Sequence, residues 1–333
     1  MRARWETIPV RTAAGPATAV APVIISASRA TDIPAFYGAW FAARLAAGSL
    51  AWTNPFNARQ KQIVSFARAR VVVFWTKNPA PLEPHLDLLD ERGIGYYFTF
   101  TVNDYEGEGL EGAVPPLGER LATFRRLAQR LGSARVVWRF DPIIVGGPLT
   151  PERILEKIRR IGDALQGHTH TLVLSFADLS RYRHVRERLE RCGDGHWREP
   201  GAEAVLQIAH GIQRLNEEWG FTVATCAEKV DLSAFGIAHG RCIDDELMAR
   251  VFAHDRALMA FLGRGETPLF HDGVRPANPL KDPGQRASCG CIASKDVGRY
   301  GTCPHRCAYC YANASFVAAD DAHARHDPGG EAL

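Results

Sequence analysis

Residues 23–48 read VIISASRATDIPAFYGAWFAARLAAG. Val23 to Ser28 is a mostly apolar run of strand length, and Pro34 opens a segment in which Phe36, Trp40, Phe41 and Leu45 share one helical face before Gly48. A strand covered on both faces is apolar throughout rather than alternately. The stretch therefore predicts one βα unit with a buried strand, and it leaves Ser28, Arg29, Thr31 and Asp32 at the strand's carboxyl end.

Working outward, the same unit recurs. Apolar runs at Val71–Trp75, Tyr96–Val102, Arg135–Phe140, Thr171–Phe176 and Phe221–Cys226 predict five further strands. Helical periodicity separates them: Leu82, Leu86 and Leu89 before Gly93; Leu117 to Leu131 before Gly132; Ile154 to Leu165 behind a Thr150-Pro151 cap; stretches at Ser180–Arg191 and Glu203–Trp219; and a last long helix over Asp244–Leu262. Six strands alternating with amphipathic helices predict an α/β fold with a parallel sheet. Polar residues gather after every strand, among them Lys77, Asn103, Arg139, Asp141, Ser175, Cys226 and Glu228. A (β/α) TIM-type barrel, complete or partial, of about six units explains that gathering best, because the strand carboxyl ends of such barrels form the active face. A flavodoxin-like open sheet would bring only some of them together. Met1 to Pro16 has no clear periodicity and reads as a lead-in. The expected organisation is a barrel domain over 1–265, a Gly/Pro-rich connector and cysteine-rich segment over 266–317 packed on it, and a flexible tail over 318–333.

Composition narrows the function classes. The chain has 333 residues, 46% of them hydrophobic, and a net charge of +3 from 40 Lys+Arg against 37 Asp+Glu. That is enough apolar chain for a large core, and the interspersed charges do not indicate nucleic acid. No run reaches the roughly 18–20 apolar residues of a membrane span, and Ala17–Ala27, interrupted by Pro22, lacks the form of a signal peptide. A cytoplasmic, reducing compartment follows as the expectation, in which eight cysteines point to metal or redox chemistry rather than disulfides.

Five of the eight cysteines fall in CGCIASKDVGRYGTCPHRCAYCYAN, residues 289–313. Cys303, Cys307 and Cys310 are spaced by three and two residues, close enough for one loop to wrap an iron–sulfur cube. Three ligands leave an iron open, as a catalytic site requires. His305 could instead complete a zinc knuckle with the same thiols.

The spacing resembles the cluster loop of the radical S-adenosylmethionine superfamily, which usually carries it after the first strand; here it lies at the other end. The order implies a loop folding back over the barrel mouth. The stretches SASRATDIPAFY, FWTKNP, WRFDPI, TCAEKVDLSAFGIAHGRCID and QRASCGCIASKDVGRYGTCPHRCAYCYAN also look like those of a bacterial family of unknown function. The superfamily resemblance implies a 4Fe-4S cluster on Cys303, Cys307 and Cys310, S-adenosylmethionine (SAM) on its open iron, Tyr309 near the adenine, and a flavodoxin or ferredoxin as electron donor. It implies radical chemistry on an unidentified substrate, a small molecule being favoured. Arg139, Asp141 and Lys77 are then the candidate catalytic residues, and Ser28, Arg29 and Asp32 join Tyr309 as cofactor-binding candidates. Ion pairing of Arg139 with Asp141 and of Lys77 with Asp32 is the structural alternative. Cys226, Cys242, Cys289 and Cys291 supply the four thiolates of a second, auxiliary cluster, against which stand a zinc site, a Cys289/Cys291 redox pair or buried thiols acting as small hydrophobes. For the whole protein, a zinc-stabilised non-catalytic or partner-binding module and an iron–sulfur electron carrier are the alternatives.

Three signals carry less. Gly107, Gly109 and Gly112 form a Gly-x-Gly-x-x-Gly pattern, but Glu106, Glu108 and Glu111 would repel a pyrophosphate, so the segment reads as a flexible acidic loop. His168 and His170 precede a strand, away from the active face. Trp40 and Trp219 fall at core positions of helices.

Overall fold

The computed structural model describes residues 5–12, 15–55, 57–192, 196–264 and 280–333. Two antiparallel strands, β1 (Glu6–Thr12) and β2 (Gly15–Ala21), lead to β3 (Ile24–Ala27), α1 (Ile33–Phe36) and α2 (Gly38–Ala47). A hairpin of β4 (Ser49–Asn54) and β5 (Asn57–Ser65) precedes β6 (Val71–Thr76), α3 (Asp87–Glu91), β7 (Gly95–Thr101) and α4 (Leu117–Leu131). The alternation continues through β8 (Val136–Ile143), α5 (Pro151–Leu165), β9 (Thr171–Phe176), α6 (Arg183–Leu189), α7 (Ala202–Trp219) and β10 (Thr222–Thr225). Then come β11 (Ile237–His239), α8 (Asp245–Val251), α9 (Arg256–Phe261), β12 (Lys295–Asp296) and α10 (Phe316–Ala324).

The six strands predicted from apolar runs are β3, β6, β7, β8, β9 and β10, all parallel neighbours. They form the centre of an eight-stranded, all-parallel sheet in the order β11-β10-β9-β8-β7-β6-β3-β12. The expected barrel is not what forms. The sheet ends at β11 on one side and β12 on the other, and no ladder joins these edges among the described residues. From β3 to β11 the strands follow in chain order, and the chain then crosses to the opposite edge, where β12 pairs with β3.

The core explains the open sheet. Ile25, Val72, Phe74, Tyr96, Phe98, Val136, Trp138 and Leu172 point to the face covered by α2, α4, α5 and α7. Their neighbours in the pleat, Ile24, Val71, Val73, Tyr97, Val137 and Val173, point to the other face. There they meet Leu247, Met248 and Phe252 of α8 and its C-cap, Leu258 of α9, and Ile292. A closed barrel fills its interior with side chains alone. This sheet accommodates a layer of chain on that face, and its edges stay apart.

Several local expectations are corrected. The lead-in contains β1 and β2, which join β5 and β4 in a separate four-stranded sheet; Pro9 is tolerated because β1 is the edge strand. β4 is half-buried with a mixed sequence and the first part of β5 is polar and exposed, which hid them from an apolar-run reading. The long last helix is broken at Asp255, whose carboxylate caps α9 at Leu258 N (2.9 Å) and pairs with Arg70 Nε (2.6 Å). The expected tail carries α10, and Trp40 Nε1–H donates to the Gly330 carbonyl at 3.0 Å. Of the Gly/Pro-rich connector, residues 265–279 lie outside the described residues. No helix among the described residues is long and apolar enough to cross a membrane.

Candidate functional site

Parallel strands deliver their carboxyl ends to one edge of a sheet, and ligand crevices of open α/β sheets lie there. A cavity of about 570 Å³ occupies that edge. Residues following β3, β6, β8, β9 and β10 line it, together with six cysteines, Cys226, Cys289, Cys291, Cys303, Cys307 and Cys310. A second cavity of about 560 Å³ lies beside the start of α7; it contains no cysteine, and its charged residues Arg198, Glu199 and Glu203 are exposed.

The three-cysteine loop reaches the cavity because β12 adds to the sheet beside β3, pairing Asp296 with Ser26. The Asp296 carboxylate accepts from Ser28 Oγ (2.7 Å), Ser26 Oγ (3.0 Å) and Arg29 N (2.9 Å). Gly298 allows the approach: a Cβ there would lie 1.9 Å from Ser28 Oγ. Beyond it, Tyr37 Oη–H donates to Thr302 O at 2.5 Å, and Asn313 Nδ2 to Cys303 O at 2.6 Å. Arg188 of α6 donates to three loop carbonyls, Ala308 O (2.7 Å), Asn313 O (2.8 Å) and Cys310 O.

His305 is held outside the thiol set. Its Nε2 lies 2.8 Å from Asp32 Oδ2 and its Nδ1 faces Ala113 O at 3.3 Å, so both ring nitrogens have protein partners. Asp32 is equally committed, accepting from Ala35 N (3.0 Å) as the cap of α1 and from Lys77 N (2.7 Å). It organises the site rather than reaching into it.

The segment read as a flexible acidic loop is the loop's other clasp. Ala308 N–H donates to Leu110 O (2.9 Å) and Ala113 N–H to His305 O (3.0 Å). Glu111 is buried, with Lys77 Nζ at 2.7 Å, Arg120 Nη1 at 3.4 Å, and the Tyr309 hydroxyl donating to it. Burial would raise the Glu111 carboxyl, but Lys77 and Arg120 outweigh it and hold it at about 2. Glu106 and Glu108 pair with Arg120 (2.6 Å) and Lys157 (3.0 Å). Opposite charges on α4 and α5 therefore order a segment that looked self-repelling. Tyr309 has its hydroxyl engaged by Glu111 and by Asn103 Nδ2 (3.2 Å), and Lys77 Nζ lies 5.4 Å over its ring.

Arg139 and Asp141 pair with each other, as the structural alternative had it, while Lys77 pairs with Glu111 instead of Asp32. Arg139 also donates to Cys242 Sγ and lies 5.1 Å over the Trp75 ring. Asp141 accepts from the Ser175 hydroxyl; burial would raise it, but Arg139 and Ser175 keep it below the ordinary value. Arg29 lies 5.7 Å over the same indole, with Nη2 3.1 Å from Ser294 Oγ.

Cys226, Cys242, Cys289 and Cys291 come together as a second thiol group. Cys226 and Cys242 sulfurs are 3.4 Å apart, and Cys291 Sγ accepts from Cys242 N (3.2 Å) and Ile243 N (3.4 Å). All eight cysteines are free, and Cys192 stands at the end of α6, outside the cavity lining.

Burial pushes the Cys303 thiol well above its ordinary value and Cys307 up to about 12, so a bound cation would have to ionise them. Among the described residues no three His, Cys, Asp or Glu side chains converge as ligands of a metal ion. Thr31 Oγ1 and Arg29 Nε are buried without a hydrogen-bond partner, the latter 4.0 Å from Asp296 Oδ2.

Sequence reading therefore located the thiols and Arg139, Asp141, Lys77, Arg29, Ser28, Asp32 and Tyr309 around one cavity. It missed Asp296, Arg188 and Glu111. All three act through tertiary contacts that no local pattern announces.

Residues 24–312 match a family model described as Domain of unknown function (DUF1848). No curated protein and no solved structure matches the chain.

Proposed function

The chain belongs to the DUF1848 family, whose description assigns no activity, and from the site itself we propose an iron–sulfur enzyme of the radical SAM type. The observation that carries this reading is that three thiols, Cys303, Cys307 and Cys310, line the cavity while both nitrogens of the intervening His305 are bound elsewhere. Three thiolates hold three irons of a cube and leave the fourth for a ligand.

In this reading Cys303, Cys307 and Cys310 would hold three irons of a 4Fe-4S cluster, which when reduced would supply the one electron needed for reductive cleavage of SAM and so start radical chemistry on a substrate. The protein's part is positional. Asp296, Arg188 and Glu111 hold the loop against the sheet edge, and Asp32 fixes His305 and Lys77 beneath it. Trp75 and the tyrosines Tyr182, Tyr300 and Tyr311 give the cavity aromatic walls that limit water. The volume suits SAM beside a small substrate. The electron comes from an external donor of flavodoxin or ferredoxin type, and the reducing cytoplasm in which such donors work keeps the thiols free.

The test is electron paramagnetic resonance of anaerobically purified, dithionite-reduced protein with metal analysis, before and after SAM. A cluster signal that shifts with SAM supports the reading. Zinc in place of iron leaves a structural staple, and iron whose signal ignores SAM leaves an electron carrier.

A further inference from the structure

The four-thiol group is unexplained by the SAM reading. Its members come from the end of β10, from the loop before α8, and from the segment ahead of β12. A buried free cysteine usually behaves as a small hydrophobe. These do not. Cys242 receives the Arg139 guanidinium, which is 4% exposed, and Cys291 receives two backbone N–H groups. Arginine stays charged in a protein interior, and Asp141 is its only carboxylate partner among the described residues. Hydrogen bonds to sulfur are how proteins tune iron–sulfur centres.

The backbone is arranged for the same contact. Gly290, between Cys289 and Cys291, runs so close to the Cys242 loop that a Cβ would lie 3.1 Å from Gly240 O and 3.3 Å from Arg241 Cβ. Cys226, Cys289 and Cys291 line the cavity and Cys242 lies just behind.

We propose that Cys226, Cys242, Cys289 and Cys291 hold a second iron–sulfur centre, fully ligated by protein, in the wall of the cavity that the three-cysteine loop also faces. Four thiolates close the coordination of a cube, so this centre has no open iron. It binds no SAM. Its position suits it to exchange electrons with a molecule in the cavity. The inference does not depend on SAM being the ligand of the other loop.

The experiment reconstitutes three proteins anaerobically with iron and sulfide: the wild type, Cys303→Ala/Cys307→Ala/Cys310→Ala, and Cys226→Ala/Cys289→Ala. The wild type is expected to hold about eight irons and each variant about four, given two cubes. The triple variant should keep a reduced-cluster signal that SAM does not alter. A triple variant, folded by circular dichroism, that binds no iron overturns the second centre and leaves the first. One that holds every iron of the wild type supports the second centre and removes the first. If it fails to fold, the wild-type count decides together with the double variant. About four irons in both wild type and double variant overturn the inference, and about eight against four support it.

Discussion

The ammonium of Lys77 lies 2.7 Å from Glu111 Oε1, inside the protein, where the Tyr309 hydroxyl and Arg120 meet the same carboxylate. This contact joins the end of β6, the acidic loop before α4 and the cysteine loop. It makes the acidic loop part of the site's scaffold.

Glu111→Gln should leave Lys77 an unpaired, largely buried cation, Arg120 keeping Glu106 at 2.6 Å, and cost about 3–5 kcal/mol in guanidinium unfolding. Glu106→Gln, half exposed, should cost under about 1 kcal/mol. A folded-state value lowered from 4.5 to about 2 stabilises above the unfolded value and loses that stabilisation as pH falls between them. The stability gap between wild type and Glu111→Gln should therefore narrow from pH 5 towards pH 2. A gap unchanged with pH would remove the carboxylate's charge from the account.

Gly298→Ala inserts a methyl 1.9 Å from Ser28 Oγ and should force β12 from β3, at about 1–3 kcal/mol. Gly118→Ala on α4, where a Cβ meets nothing within 4 Å, should stabilise by up to about 1 kcal/mol. Thermal unfolding of the pair checks this; equal effects would mean that the close approach is unimportant.

Arg188→Lys keeps the charge but cannot fork to three carbonyls. Losing about 2 kcal/mol of local hydrogen bonding should speed amide exchange across 303–313 roughly thirty-fold, with little change in β6 to β9. Uniform acceleration over the chain would mark Arg188 as a general stabiliser.

His305→Gln tests the ligand set. Iron content after reconstitution should match wild type, because the imidazole is bound by Asp32 and Ala113 O and lies outside the thiol set. Loss of metal with the fold retained would make His305 a ligand.

The sequence by itself determined the alternating βα order, with the limits of the six strands within one to three residues, because a strand buried on both faces is apolar along its whole length and a helix shows its face at short range. The Thr150-Pro151 start of α5 was legible for the same local reason, the Thr150 hydroxyl capping at Arg153 N (3.3 Å). That Cys303, Cys307 and Cys310 would come to one place was legible in their spacing, and all three line the cavity. The tertiary structure alone decided that the sheet stays open, because closure depends on whether α8, α9 and Ile292 occupy its second face, a contact between segments more than a hundred residues apart. It likewise decided which charges meet. Sequence grounds matched Lys77 with Asp32; the fold sends its ammonium to Glu111 and only its amide to Asp32, because chain geometry sets which carboxylate lies within reach.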